Sequence, residues 1–308
     1  MPVTQPDKQA ELAAKFRTRI SPFVRRHAGT LPADDQLRFL KQFQPDPIEL
    51  EDSTGFSDDP LREDDADIHP FADIVHKYST KILYLTTDEC PVYCRYCTRK
   101  RRTLLSKGHD KTRLSDILDY LAQRPEVNEV IFSGGDPLML PPGDLLERAR
   151  QFLASPAIRY LRFHTRAATT SPGLFSETFY VGLNELLRQH PQKLITFVLH
   201  INTAAEISEA TRDIVRRLHD MGIRCYAQTV LLKGINDSSP ELAELCQALT
   251  QAMIQPYYLH QLDRVTGSAH FEVSDDEARL IYGELKRLLP VYLLPKLVRD
   301  SKQGKYPL

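Results

Sequence analysis

The stretch DECPVYCRYCTRKRR, residues 88–102, gathers three of the chain's five cysteines within eight positions and ends in a run of cations. Cys90, Cys94 and Cys97 stand at CxxxCxxC spacing, with Tyr96 just before the last thiol. A closed structural zinc site takes four ligands, and no second cysteine pair completes one here. Three thiolates suit a [4Fe–4S] cluster that keeps one iron open for another ligand. Cys225, in an apolar run, and Cys246, on the apolar face of a helical pattern, read as small packing residues.

A second element, FSGGDPL at 132–138, ends an apolar run in Gly134, Gly135 and Asp136. Two residues without a Cβ let backbone come close to a ligand.

The elements that must position these residues follow from the apolar pattern. KILYLTT (81–87), EVIFSGG (129–135), RYLRFHT (159–165), LITFVLHI (194–201), RCYAQTVLL (224–232) and PYYLHQL (256–262) are short and rich in β-branched and aromatic residues. Helical patterns such as SEATRDIVRRLHDM and SPELAELCQALTQAM separate most of them, which implies parallel strands with right-handed crossovers. Six such units predict an α/β fold, a partial (β/α)6 TIM-type barrel with its chemistry where strands end. Residues 76–308 form that barrel. Residues 1–75 are polar and Pro-rich, and read as a mostly helical or irregular N-terminal extension. Within it, LEDSTGFSDDPLREDDADIHP reads as a solvated acidic connector, and Arg95 with Lys100, Arg101 and Arg102 as a solvated basic face.

Across 308 residues, 40 Lys+Arg against 41 Asp+Glu leave a net charge of −1, which gives no electrostatic reason for nucleic acid or an anionic membrane as partner. The five cysteines do not make a secreted disulfide framework, and neither a signal peptide nor a membrane span is visible. The expectation is a soluble cytoplasmic protein.

The CxxxCxxC loop followed one strand later by Gly-Gly-Asp resembles the radical S-adenosylmethionine enzymes. In these, the open iron chelates S-adenosylmethionine, and an electron from the cluster cleaves it to a 5′-deoxyadenosyl radical. The longer segments HKYSTKILYLTTDECPVYCRYCTRKRR, FSGGDPLML, AQTVLLKGIND, PYYLHQLD and VRDSKQGKYPL resemble the lysine 2,3-aminomutase family, in the same order through most of residues 76–308.

That resemblance implies an isomerase using a [4Fe–4S] cluster on Cys90, Cys94 and Cys97, S-adenosylmethionine and pyridoxal phosphate. Lys305 in GKYPL matches the lysine that carries pyridoxal phosphate, although its loop from Asp300 is two residues shorter than in the clostridial-type enzymes. His76, Lys77, Tyr78 and Lys81 match a segment near that cofactor, with lysines where arginines are usual. Ser133, Gly134, Gly135 and Asp136, with His200, Asn202 and Gln228, would face S-adenosylmethionine. Asp263 and Asp300 match the pair that holds the ε-ammonium of lysine, and Arg99 the arginine that grips the substrate α-carboxylate.

No zinc is expected, because Ser238 follows Asn236–Asp237 and the cysteine-bearing C-terminal extension of the clostridial type is lacking. The cysteine loop, ending CTRKRR, reads closer to the metabolic aminomutases than to the compact relatives that supply (R)-β-lysine for elongation factor P. The implied partners are a small amino acid and an electron donor of reductase, flavodoxin or ferredoxin type. A homo-oligomer, a substrate such as arginine, ornithine or glutamate, and a non-catalytic iron–sulfur protein stay open at this stage.

Overall fold

The computed structural model describes residues 5–51, 53–104 and 112–308. One nine-stranded sheet runs in chain order: β1 (Ile74–Tyr78), β2 (Lys81–Thr87), β3 (Glu129–Gly134), β4 (Tyr160–Thr165), β5 (Leu194–His200), β6 (Arg224–Val230), β7 (Ile254–His260), β8 (Lys296–Arg299) and β9 (Tyr306–Pro307). Strands β2 to β8 are parallel, and β1 and β9 add antiparallel edges at either end. All six expected runs are strands. The seventh parallel strand, β8, and its partner β9 extend the partial barrel by making the last residues an edge ladder.

Register divides each strand between two environments. Phe132, Phe163 and Phe197 are paired across β3, β4 and β5, with ring centroids 5.2 and 5.0 Å apart. All three are fully buried in the core that includes Phe152 and Leu183 of the surrounding helices, where each phenyl contributes about 1.5–3 kcal/mol. Residues of opposite parity, among them Leu83, Ile131, His164, His200, Gln228 and His260, line a cavity inside the barrel.

The crossover helices begin where a side chain satisfies a free N–H. Ser176, Ser208, Ser238 and Ser274 cap helices Glu177–Gln189, Glu209–Asp220, Ser239–Gln251 and Asp275–Leu288, each accepting from a backbone N–H three residues on. Such caps stabilise a helix by about 1 kcal/mol. Cys225 and Cys246 are buried in the core, as their sequence context indicates.

The N-terminal segment carries α1 (Gln5–Lys15), α2 (Pro22–Ala28) and α3 (Ala33–Lys41). Val24, Ala28, Phe39 and Phe43 enclose Val92 of the cysteine loop, while Leu12 and Phe16 pack with Tyr93. The basic residues within and after the cysteine run are not a solvated face. Arg95 is fully buried and bidentate to Glu49, at 2.8 Å for each bond, and Lys100 Nζ lies 3.4 Å from the same carboxylate. Arg101 pairs with Asp59 and Asp64, and Arg102 donates to the Ala72 carbonyl. Part of the acidic connector is likewise not free in solvent: Asp59, Glu63 and Asp64 pair with Arg99 and Arg101, and Asp65 and Asp67 with Lys302. Among the described residues no helix is long and apolar enough to cross a membrane.

Candidate active site

The cavity measures about 290 Å³, and Cys90, Cys94 and Cys97 line one part of it. Burial pushes the Cys90 thiol well up, and Cys97 and Asp136 add to it; burial and then Cys94 raise Cys97. Three thiolates facing one space need positive charge between them, which a thiolate-ligated iron cluster supplies. Among the described residues no group of three or more His, Cys, Asp or Glu converges on a point as a single ion requires. Three thiols lining one cavity are the donor set that a [4Fe–4S] cluster with one open iron takes.

The two glycines at the end of β3 serve the cysteine loop before any ligand. Gly134 has φ +110°, and a Cβ on it would meet Thr86 N at 3.1 Å and the Thr87 carbonyl. A Cβ on Gly135 would strike the backbone of Asp88 and Glu89. Gly135 N donates to Thr87 O at 2.5 Å and Asp136 N to Glu89 O at 2.8 Å, so β3 is laid directly on the loop that carries the thiols.

The Asp136 carboxylate is committed to the protein. It accepts from Thr165 Oγ1 at 2.8 Å, from Arg166 N at 2.8 Å, and from Leu138 N and Ala167 N. Ser133, Gly134 and Gly135 line the cavity beside it.

His200 stacks on Tyr96 and shares a 2.9 Å hydrogen bond with its hydroxyl. Burial, with Arg166 and His260 nearby, holds His200 well below the usual histidine range, so it is neutral. Gln228, opposite it on β6, also lines the cavity. Asn202 does not. It is fully buried behind the wall, donating to Gln42 Oε1 at 2.9 Å and Tyr96 OH at 2.6 Å and accepting from Val230 N at 2.9 Å. The strand ends at His200, and with it the alternation that would have carried residue 202 inward.

The opposite part of the cavity holds charge. Lys305 Nζ donates to Asp300 Oδ2 at 2.5 Å, and Lys77 Nζ to Asp300 Oδ1 at 2.6 Å. The short loop reaches because Ser301 and Gly304 exchange backbone bonds in a tight turn. Gly304 has φ +125° and leaves room for Tyr78, whose hydroxyl accepts from Lys305 N at 2.9 Å. Lys81 Nζ lies 4.2 Å from the Tyr78 ring centroid, and burial lowers its pKa. His76 faces away from the cavity, its Nδ1 bonded to Tyr120 OH at 2.7 Å.

Asp263 lines the cavity near Asp300, and burial followed by that neighbour's charge lifts its carboxyl to about 7. Arg99 lies between the cysteines and this charged part, held by Glu63.

Sequence reading missed His164 and His260, both at strand ends that line the cavity and both kept neutral by burial. The rule of inspecting polar strand ends would have found them. It also missed Arg166, which donates to Cys94 Sγ at 2.9 Å, to Tyr96 OH, to Gln42 and to Glu206, and Glu63, which carries no local sequence signal.

The sequence pattern of the Radical SAM superfamily matches residues 84–246. The chain is 39% identical to the L-lysine 2,3-aminomutase of Escherichia coli (strain K12), over 89% of this chain and 78% of that protein. The Haemophilus influenzae protein of the same name is 36% identical over 96% of this chain and 85% of its own length. The one from Clostridium subterminale is 29% identical over 99% of this chain and 71% of its length. On these matches, and with a cysteine loop and lysine that open on one cavity, the chain belongs to the L-lysine 2,3-aminomutase family of the radical SAM superfamily.

Proposed function

We propose that this protein is a lysine 2,3-aminomutase, moving the amino group of L-lysine from C2 to C3 to give β-lysine. The observation that carries the reading is the single cavity shared by three thiols, Lys305 and the Asp263–Asp300 carboxylate pair. The groups it would hold supply, when bound, a hydrogen-abstracting radical from S-adenosylmethionine at the [4Fe–4S] cluster and a π-system from pyridoxal phosphate that lets nitrogen migrate.

The chain's own residues hold and orient. Cys90, Cys94 and Cys97 ligate the cluster. Ser133, Gly134, Gly135, Asp136, His200 and Gln228 form the wall against S-adenosylmethionine, with Asp136 fixed by Thr165 and the backbone after it, while Asn202 braces that wall from behind. Lys305 attaches pyridoxal phosphate, with Tyr78 and Lys81 beside it and Lys77 balancing Asp300. Arg99 takes the α-carboxylate of lysine, and Asp263 with Asp300 takes its ε-ammonium. Fixing both ends of the substrate sets C3 against the radical source, and the buried walls exclude water and competing hydrogen donors. A reductase or a flavodoxin- or ferredoxin-type protein provides the electron.

The test is a mass-spectrometric product scan of anaerobically reconstituted protein given pyridoxal phosphate, S-adenosylmethionine, reductant and a mixture of lysine, arginine, ornithine and glutamate. β-Lysine as the one β-amino acid formed is the expected result. A different β-amino acid would move the substrate assignment. 5′-Deoxyadenosine without any β-amino acid would place the true substrate outside the mixture.

A further inference from the structure

Glu63 belongs to the acidic connector, yet it is buried on the cavity wall, and both its oxygens are taken by Arg99. Arg99 Nε donates to Oε2 at 2.8 Å and Nη2 to Oε1 at 2.7 Å. That contact uses the side edge of the guanidinium. Five N–H donors in a planar fork leave a second edge, formed by Nη1 with the remaining hydrogen of Nη2. Nη1 makes no hydrogen bond among the described residues, and it is not among the buried polar atoms without a partner, so it borders open space.

Glu63 is itself held in place. Arg101 Nη2 lies 3.7 Å from its Oε2 and binds Asp59 at 3.1 Å, while Arg101 Nε binds Asp64 at 2.6 Å. Ser57 pairs with the loop after β7, its N–H donating to Arg264 O at 2.9 Å. Lys302, three residues before Lys305, binds Asp65 at 2.6 Å and Asp67 at 2.9 Å. The connector is thus fastened to the cysteine loop, to the loop after β7 and to the loop that bears Lys305.

We infer that Glu63 is a positioning residue for the substrate: it clamps Arg99 by its side edge so that the end edge alone receives the α-carboxylate. The inference rests on the proposed role of Arg99. Because Glu63 balances the charge of Arg99, recognition at this end depends on the direction of the donors more than on net charge. Without Glu63 the side edge becomes a second docking edge for the same carboxylate. Lysine would then bind in two poses, and only one brings C3 to the radical.

The experiment compares Glu63→Gln and Glu63→Asp holoenzymes with wild type for kcat, KM for lysine, 5′-deoxyadenosine released per β-lysine formed, and thermal unfolding. Glu63→Gln is expected to lower kcat by about 10- to 100-fold. KM should stay within a few-fold of wild type and uncoupled 5′-deoxyadenosine should increase, with Glu63→Asp recovering part of the coupling. If Glu63→Gln does not fold, Glu63→Asp carries the test, with raised uncoupling as the expected result. A variant that keeps the wild-type kcat and the wild-type product ratio overturns the inference, as does one that loses kcat while the ratio stays unchanged. Arg99→Lys is run in parallel: an unchanged KM for lysine would remove the Arg99 reading itself, whatever Glu63 does.

Discussion

Lys305 and Asp300 form a direct ion pair, Nζ to Oδ2 at 2.5 Å, inside the cavity. Burial by itself would raise the Asp300 carboxyl, but Lys305 and then Lys77 outweigh it and hold it at about 2. Asp300 is therefore ionised at any working pH, and it keeps the Lys305 amine directed into the cavity. Lys305→Ala is expected to abolish covalent attachment of pyridoxal phosphate, seen as loss of the bound cofactor's visible absorbance, and to bring β-lysine formation to background. Iron content should not change, because the thiols line a different part of the cavity. Undiminished cofactor absorbance in the variant would remove Lys305 from this role.

Asp263 responds to pH in the opposite sense. Its carboxyl is raised to about 7 by burial and by Asp300, against the partial offset of Lys305, with Glu63 adding to the rise. A carboxyl raised on folding gives stability that is full below its unfolded pKa, near 4, and is lost as pH rises through 7. The span corresponds to at most about 4 kcal/mol. Denaturant unfolding of the apo chain should show wild type losing stability between pH 5 and pH 8, and Asp263→Asn losing less. Lysine binding should run the other way, since an ammonium selects the ionised carboxylate. KM for lysine is expected to fall from pH 6 to pH 8 in wild type and to stay flat in Asp263→Asn.

The parallel strands were legible because each is a short run rich in apolar residues, buried on both sides in β5, where Ile195 to Leu199 are all buried, and on alternate residues in β4 and β6. β8 was not. It has four residues, and its partner β9 lies in a segment that reads locally as a frayed end. In the site, the cysteines and the strand-end His200 and Gln228 could be read because local spacing places them. Asn202 and His76 were misdirected, since their facing depends on where a strand stops and on a packing partner, Tyr120, far along the chain. The basic run deceived for the same reason. Arg95 and Glu49 are 46 positions apart, and no local pattern marks them as a pair.

That pair supports a third prediction. Arg95 and Glu49 are both fully buried and doubly bonded, and Arg95 Nη1 also donates to Arg17 O at 3.1 Å. Removing one partner leaves an uncompensated buried charge, at a cost of about 3–5 kcal/mol. Glu49→Gln should therefore lower the denaturation midpoint and, because Arg95 sits between Cys94 and Cys97, lower the iron retained after gel filtration. Replacing both residues with apolar ones should cost less than the sum of the two single changes, a non-additivity that a double-mutant cycle measures, while the loss of the Glu49 carboxylate from Lys100 remains in the double variant. Additive losses would mean that the pair does not act as a unit.

The last prediction separates a glycine needed by a ligand from one needed by the fold. The backbone of Gly135 lies so close to Asp88 and Glu89 that any Cβ meets main-chain atoms, which cannot rotate aside as a side chain would. Gly135→Ala must therefore push β3 and the cysteine loop apart, weakening the Asp136 N to Glu89 O bond and shifting Cys90, the residue after Glu89. Misplacing one of three ligands should reduce cluster incorporation even before S-adenosylmethionine is added. Iron and sulfide content of the reconstituted variant, measured without S-adenosylmethionine, is expected to drop together with its unfolding temperature. A Gly135→Ala protein that assembles a full cluster and loses only S-adenosylmethionine affinity would instead assign the glycine to the ligand.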